Sequence, residues 1–302
     1  MKPVVAVAVP EEDARREWVA RLAPRLEGAQ VVDAEEADPS SVHVLVVSNP
    51  PGSDLARFPG LRFVQSVWAG VDRLEEGAPP VSIARMVAPE LTEAMTQFVL
   101  AVVLGLHRSF PAYRRDQMRR EWHPRPLLPA RERTVGVLGH GELGRPAALA
   151  LADLGFDVAA WARTPRAGQV EVLAGCEGLA QLLSRSGIVV NLLPLTRETR
   201  NILDERTLGL MPPGSSLVNV GRGAHVVEEA LLGSLDSGHL SEAVLDVFDS
   251  EPLPADHPYW SHPRVTVFPH VAAPSAPVDL APWVAANIQA FLVGDTPRFL
   301  VR

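Results

Sequence analysis

The stretch VGVLGHGELGRPAALALADLGF, residues 135–156, decides the fold. An apolar run ends at Gly139, two more glycines follow at Gly141 and Gly144, and an alanine- and leucine-rich helical pattern starts there. The three glycines serve different physical ends. The first permits a tight turn, the second lets backbone N–H groups approach a pyrophosphate, and the third lets helix and strand pack closely. The start of the helix adds partial positive charge for an anion. Glycine turns join strands to helices in any α/β fold, so it is the strand–turn–helix setting that favours a dinucleotide site, with Glu142 and Leu143 inside the turn, over a purely structural bend.

Outward from this turn, short valine-rich runs alternate with helix-like stretches, the pattern of parallel sheets built through right-handed crossovers. Before it, strands are expected near Pro3–Val9, Gln30–Asp33, Val42–Ser48, Arg62–Val67 and Val81–Met86, and Ala14, Trp18 and Leu22 share one face of an intervening helix. After it, strands are expected at Asp157–Trp161, Gly187–Leu193, Ser215–Val220, Ala243–Phe248 and Arg264–Phe268. ELTEAMTQFVLAVVLGLHRSF, residues 90–110, reads as a long bridging helix limited by Pro111, and residues 277–293 as an amphipathic helix returning to the first domain. The expected fold is therefore α/β with two domains. A Rossmann-type, doubly wound dinucleotide-binding domain spans 95–274, and a smaller, discontinuous, flavodoxin-like substrate domain joins 1–94 to 275–302.

Composition narrows the partners. The 302 residues, 47% hydrophobic and 21% charged, suffice for two folded domains. No apolar run is read as reaching the about 20 residues of a membrane helix, and MKPVVAVAVP lacks the layout of a signal peptide, so a soluble, unprocessed chain without a membrane partner is expected. A net charge of −8 disfavours nucleic acid. Cys176 is the lone cysteine, which favours the cytoplasm and excludes a cysteine-built zinc cage; the nine histidines show no ligand spacing, so no metal site is expected.

Cofactor choice turns on the end of the strand DVAAWARTPR, residues 157–166, where an NAD enzyme places an acid about 20 residues beyond the glycines. Here stand Arg163, Thr164 and Arg166. Guanidiniums and a hydroxyl suit a 2′-phosphate, so NADP is preferred, with NAD possible and a solvated basic turn as the bland alternative. Three further residues lie just beyond strand ends: Arg222, Glu251 and His270. In a parallel sheet such ends face the ligand crevice. A cation holds the carboxylate of an α-keto acid, an imidazole supplies a proton to the oxygen that receives charge, and a carboxylate orients and stabilises the imidazolium. Taken singly, each has a dull explanation as a turn cap, a loop acid or a satisfied histidine.

VGVLGHGELG, VNLLPLTRETRNIL (190–203), LVNVGRGAHVVEEALLGSLDSG (217–238), AVLDVFDSEPLP (243–254) and HPRVTVFPHVAA (262–273) resemble, in order and spacing, the D-isomer-specific 2-hydroxyacid dehydrogenases, most of all the glyoxylate/hydroxypyruvate reductase A subgroup. The resemblance implies a two-domain fold with a cleft and puts the catalytic Arg, Glu and His on Arg222, Glu251 and His270. It also implies cofactor contacts at Leu193, Pro194, Thr196, Val220, Gly221 and Asp246, the last to the nicotinamide carboxamide. A carboxylate-binding loop falls on Trp68, Ala69, Gly70 and Val71, and a homodimer is implied. Trp68 stands where many relatives have glycine, which narrows the pocket toward small acids unless the ring points into the core. Trp122 and His123 line either the active site or a dimer contact.

The expected activity is reduction of a small 2-keto acid, glyoxylate or hydroxypyruvate, by NAD(P)H, with domain closure about Pro89–Met95 and Val271–Pro277. Two alternatives stand beside it: an NAD-linked dehydrogenase of another D-2-hydroxy acid, and a non-catalytic dinucleotide-sensing scaffold.

Overall fold

The computed structural model describes residues 2–164 and 168–301, which form two compact units. One joins Met1–Leu91 to Ser275–Arg302; the other is continuous over Thr92–Pro274. The first division falls slightly before the residue 94 expected from sequence.

The first unit contains β1 (Val4–Ala8), β2 (Gln30–Asp33), β3 (Val42–Val47), β4 (Phe63–Ser66) and β5 (Ser82–Ala84), all parallel in the order β2-β1-β3-β4-β5. That is the flavodoxin-like order. Central strands are buried on both faces, which is why β1 and β3 read as valine-rich, near-continuous apolar runs rather than alternating ones. The helix Glu12–Leu22 buries Trp18 and Leu22, while Ala14 is half-buried. Emptying the Leu22 site by Leu22→Ala would cost about 2–5 kcal/mol. The helix Pro277–Val293 packs against it and buries Leu280, Ala281, Val284, Ala285 and Ile288, and the Phe63 and Phe291 rings stack at 4.8 Å. The segment that follows runs antiparallel along β5, where Arg85 N–H donates to Phe299 O and Val301 N–H to Ile83 O. It covers that sheet edge, which would otherwise present unpaired backbone groups.

The second unit contains β6 (Thr134–Leu138), β7 (Asp157–Trp161), β8 (Glu171–Leu173), β9 (Ile188–Asn191), β10 (Ser215–Asn219), β11 (Leu240–Leu245) and β12 (Val265–Val267). All are parallel, in the order β12-β11-β10-β9-β6-β7-β8, so chain direction across the sheet reverses between β9 and β6. This is the doubly wound order with its switch point beside the glycine turn. Three-residue β8 carries too short a pattern to have been expected from sequence.

Two sequence expectations are corrected here. The helix Pro89–His107 is, by length and mean hydropathy, apolar enough to cross a membrane, contrary to the reading that no run approaches that length. Its Val99 and Val103 are fully buried, in one cluster with Val135, Ala147 and Leu151. Nor does Pro111 end a helix. The chain turns at Ser109, with φ 58°, and a second helix, Phe110–Arg119, carries Pro111 in its first turn, where its missing N–H costs no hydrogen bond.

Candidate active site

Because the seven strands are parallel, their following loops emerge on one edge: Gly139–Gly144 after β6, Arg163–Thr164 after β7, Leu193–Thr196 after β9, Val220–Arg222 after β10, Asp246–Glu251 after β11 and His270 after β12. In the glycine turn, Gly139 has φ +100°, and a Cβ on Gly144 would lie 1.9 Å from the Gly139 carbonyl oxygen, so neither tolerates a side chain. A Cβ on Gly141 would meet nothing within 4 Å. That open approach to the backbone, at the mouth of the helix Gly144–Asp153, fits a pyrophosphate. Leu143 stands at the residue before this helix and Glu142 is exposed beside it.

Arg163 and Thr164 are exposed after β7; Arg166 lies outside the described residues. The Glu198 carboxyl is held below its ordinary range by its own backbone N–H and the Thr196 hydroxyl, helped by the charges of Arg197 and Arg163. Thr196 N–H donates to Thr199 Oγ1 at 2.8 Å, and that hydroxyl donates to Pro194 O at 2.8 Å, fixing the loop after β9.

Arg222, Glu251 and His270 come together. His270 Nδ1 lies 2.8 Å from Glu251 Oε2, and Phe248 N–H donates to Glu251 Oε1 at 2.8 Å. Burial alone would raise the Glu251 pKa, but these two hydrogen bonds and the charges of His270 and Arg222 outweigh it, and the carboxyl stays below the ordinary value. Arg222 is half-buried, with Nη1 donating to Gly221 O at 2.9 Å. The β10 and β11 loops approach so closely that a Cβ on Gly223 would lie 1.9 Å from the Phe248 carbonyl carbon, which sets Arg222 and Glu251 side by side.

His270 has φ +56°, a left-handed conformation that costs a histidine energy and needs support from its surroundings. Asp246 supplies it: 1% exposed, its two oxygens accept the N–H groups of Val271 at 2.8 Å and Ala272 at 3.0 Å. Burial raises the Asp246 pKa, and the two amides counter it only in part. Val220 and Gly221 are buried in the turn above β10, and Leu193 in that above β9.

Trp68, Ala69, Gly70 and Val71 belong to the first unit, just beyond β4. Trp68 N–H donates to Ser66 Oγ at 3.0 Å, Met86 N–H to Trp68 O at 2.9 Å, and Ser275 Oγ to Val67 O at 2.8 Å. Trp68 is half-buried rather than a core residue; Val71 is buried.

Sequence reasoning passed over Asn191, Asn219 and His225, which are buried together beneath the β9 and β10 loops. Their signal was present: Asn191 and Asn219 each end a fully buried strand, where an amide needs partners. It also passed over Asp116 and Glu121, whose ligand-type atoms lie within 4.8 Å of one another and of His123, which the sequence had marked only as lining the active site or a dimer contact; the Arg125 guanidinium is paired with Asp116. Trp122, next to His123, is 92% exposed.

Known proteins resemble this chain along most of its length. The family model for the NAD-binding domain of D-isomer specific 2-hydroxyacid dehydrogenases matches residues 100–272. Glyoxylate/hydroxypyruvate reductase A of Serratia proteamaculans is 39% identical over 94% of each chain. A D-isomer specific 2-hydroxyacid dehydrogenase of Xanthobacter autotrophicus, crystallised with NADPH and MES, superposes with a TM-score of 0.91 at 38% identity over 100% of this chain and 98% of that one. An NADPH-dependent glyoxylate/hydroxypyruvate reductase of Sinorhizobium meliloti, crystallised with NADP and sulfate, gives 0.90 at 35% identity over 99% and 98%.

Proposed function

Since this chain belongs to the D-isomer-specific 2-hydroxyacid dehydrogenases, we propose that it is an NADPH-dependent reductase of glyoxylate and hydroxypyruvate, with Arg222, Glu251 and His270 as its catalytic residues. The observation that carries this reading is the 2.8 Å Glu251–His270 pair beside Arg222, on the edge that also bears the glycine turn. NADPH, when bound, supplies the hydride. The Gly139–Gly144 turn and the helix N-terminus would hold its pyrophosphate, Arg163 and Thr164 its 2′-phosphate, and the loops at Leu193–Thr196 and Val220–Gly221 its remaining length, with Asp246 assigned to the nicotinamide end.

Arg222 receives the substrate carboxylate on its planar fork and polarises the ketone oxygen. In the first unit, the Trp68–Val71 segment is the substrate loop, and its half-buried Trp68 ring favours small acids. Glu251 accepts the hydrogen bond of His270 Nδ1–H, which fixes the orientation of the ring. His270 Nε2 then carries the proton that passes to the ketone oxygen as charge builds there, giving a 2-hydroxy acid.

Two assignments complete the proposal. The chain works as a homodimer, supported by the exposed apolar side chains Phe110, Met118, Trp122 and Leu127 along one arm of the second unit. It resides in the cytoplasm, supported by Cys176, its single cysteine, which is free. The decisive experiment is consumption of NADPH and of NADH with glyoxylate, hydroxypyruvate and pyruvate in parallel. Turnover of the first two with NADPH is expected; tight cofactor binding without turnover of any keto acid would instead favour a sensing scaffold.

A further inference from the structure

We infer that His225, with Asn191 and Asn219, is a positioning residue that locks Arg222 and the Pro194 loop into a single rigid edge. This rests on the catalytic role proposed above for Arg222. His225 is fully buried, one 3₁₀ turn beyond Arg222. Its Nδ1 accepts the Arg222 N–H at 3.2 Å and faces Asn191 Nδ2 at 2.9 Å; its Nε2 lies 3.3 Å from Pro194 O.

These partners fix the tautomer. Two donors converge on Nδ1, so Nδ1 carries no proton, and Nε2–H donates to the Pro194 carbonyl. One ring thereby spans the end of β10, which carries the substrate-binding cation, and the loop after β9, assigned to the cofactor. The asparagines complete the lattice. Asn191 Nδ2 donates to Asn219 Oδ1 at 2.8 Å, and Asn191 Oδ1 accepts Leu193 N–H at 3.2 Å. Asn219 Oδ1 accepts Gly221 N–H at 3.2 Å, and its Nδ2 donates to Arg222 O at 2.9 Å. Both backbone polar groups of Arg222 are thus held by buried side chains. A leucine or alanine at 225 would leave the Arg222 N–H and Asn191 amide buried with an acceptor missing, and the arginine would shift to recover it.

The fold itself does not need this lattice. His225 O still accepts Leu203 N–H and Val226 N–H still reaches Gly223 O, through backbone alone. What depends on the ring is the placement of Arg222, and misplacing a reacting group by about 1 Å can cost on the order of 100-fold in rate.

Three substitutions separate the roles of the two ring nitrogens. Asn Oδ1 falls where His Nδ1 lies, and Gln Nε2 where His Nε2 lies. His225→Asn keeps the acceptor for Arg222, His225→Gln keeps only the donor to Pro194, and His225→Leu keeps neither. Expected are a kcat loss of about 10- to 100-fold in His225→Leu and His225→Gln, and recovery of most of that turnover in His225→Asn. The NADPH KM should be unchanged in His225→Gln, which keeps the Pro194 contact, but raised in His225→Leu and His225→Asn, which lose it. In an Arg222→Ala background, His225→Leu should lower kcat no further, because the residue acts through the arginine. A loss that adds in full in that background, or unchanged turnover in folded His225→Gln, would overturn the inference.

Hydrogen exchange at the Arg222 amide supplies a readout independent of activity. Protection is expected in the wild type and in His225→Asn, and fast exchange in His225→Gln. An unprotected wild-type amide refutes the positioning role even in an active enzyme. Protection that follows this pattern in a protein reducing no keto acid upholds the lock while refuting the proposed activity.

Discussion

Both units are parallel sheets flanked by helices, yet what they bury differs. In the first, the buried polar side chains among the described residues are Ser48, Asn49, Gln65, Ser66 and Asn287, hydroxyls and amides that carry no charge. They tie loops down: Ser66 Oγ donates to Ser48 O and accepts Trp68 N–H, Asn49 accepts Leu74 N–H, and Asn287 joins Gln65 to Arg298. The second unit also buries titratable groups, Asp246, His225, Glu242 and Asp116 among them. Two sheets of one architecture thus differ in whether ionisable side chains are buried around them. The sheet places loops on an edge; the ionisable groups supporting those loops decide where chemistry is done.

Substitutions can break this contrast, and the strongest test is His270→Asn. It should lower kcat by about 10²–10⁴-fold, the span of a general acid, with the NADPH KM unchanged in steady-state kinetics. A mild effect would move the proton donor elsewhere. Glu251→Gln should cost about 10- to 100-fold in kcat, as loss of a group that orients a working histidine usually does. Its stability carries a sign as well. The folded-state pKa of Glu251 lies below the ordinary 4.5 of the unfolded chain, so its contribution is complete above 4.5 and is lost as pH falls through the folded value. The gap in denaturation midpoint between wild type and Glu251→Gln should therefore close on acidification below 4.5.

Arg163→Ser should reduce kcat/KM for NADPH by about tenfold or more, the worth of one charge-assisted hydrogen bond, and leave NADH unaffected. Equal losses with both would remove the 2′-phosphate role. The smallest effect belongs to the first unit. Ser66→Ala deletes the acceptor for Trp68 N–H, so thermal unfolding should register about 1–3 kcal/mol lost, and the keto-acid KM a modest rise, at unchanged kcat. A fall in kcat matching that of Glu251→Gln would erase the distinction between the two units.

Much of this was legible in the sequence, for physical reasons. Val-rich runs sit in strands, so β2 and β7 were placed to the residue, and three-glycine spacing answers to close backbone approaches. Arg222, Glu251 and His270 could be picked out because each follows such a run. The His225 lattice was not legible, since its partners lie on different strands and hydrogen bonding across a sheet leaves no period in the chain. The break at Ser109 hid inside continuous apolar periodicity, because one left-handed residue redirects a helix without altering composition. The role of Asp246 under the His270 loop was hidden too: a carboxylate bound by two backbone amides looks, in sequence, like any other acid after a strand.

The discontinuity of the first unit has a bearing on biosynthesis. Its helix Pro277–Val293 and the antiparallel segment beside β5 are translated only after every residue of the second unit. During elongation on the ribosome, Thr92–Pro274 has its full complement of strands while the Phe63 face of the other sheet still awaits Phe291. The nascent first unit therefore exposes oily surface and an open strand edge for the whole of that interval, and it is the part of the chain with the greatest need of chaperone cover.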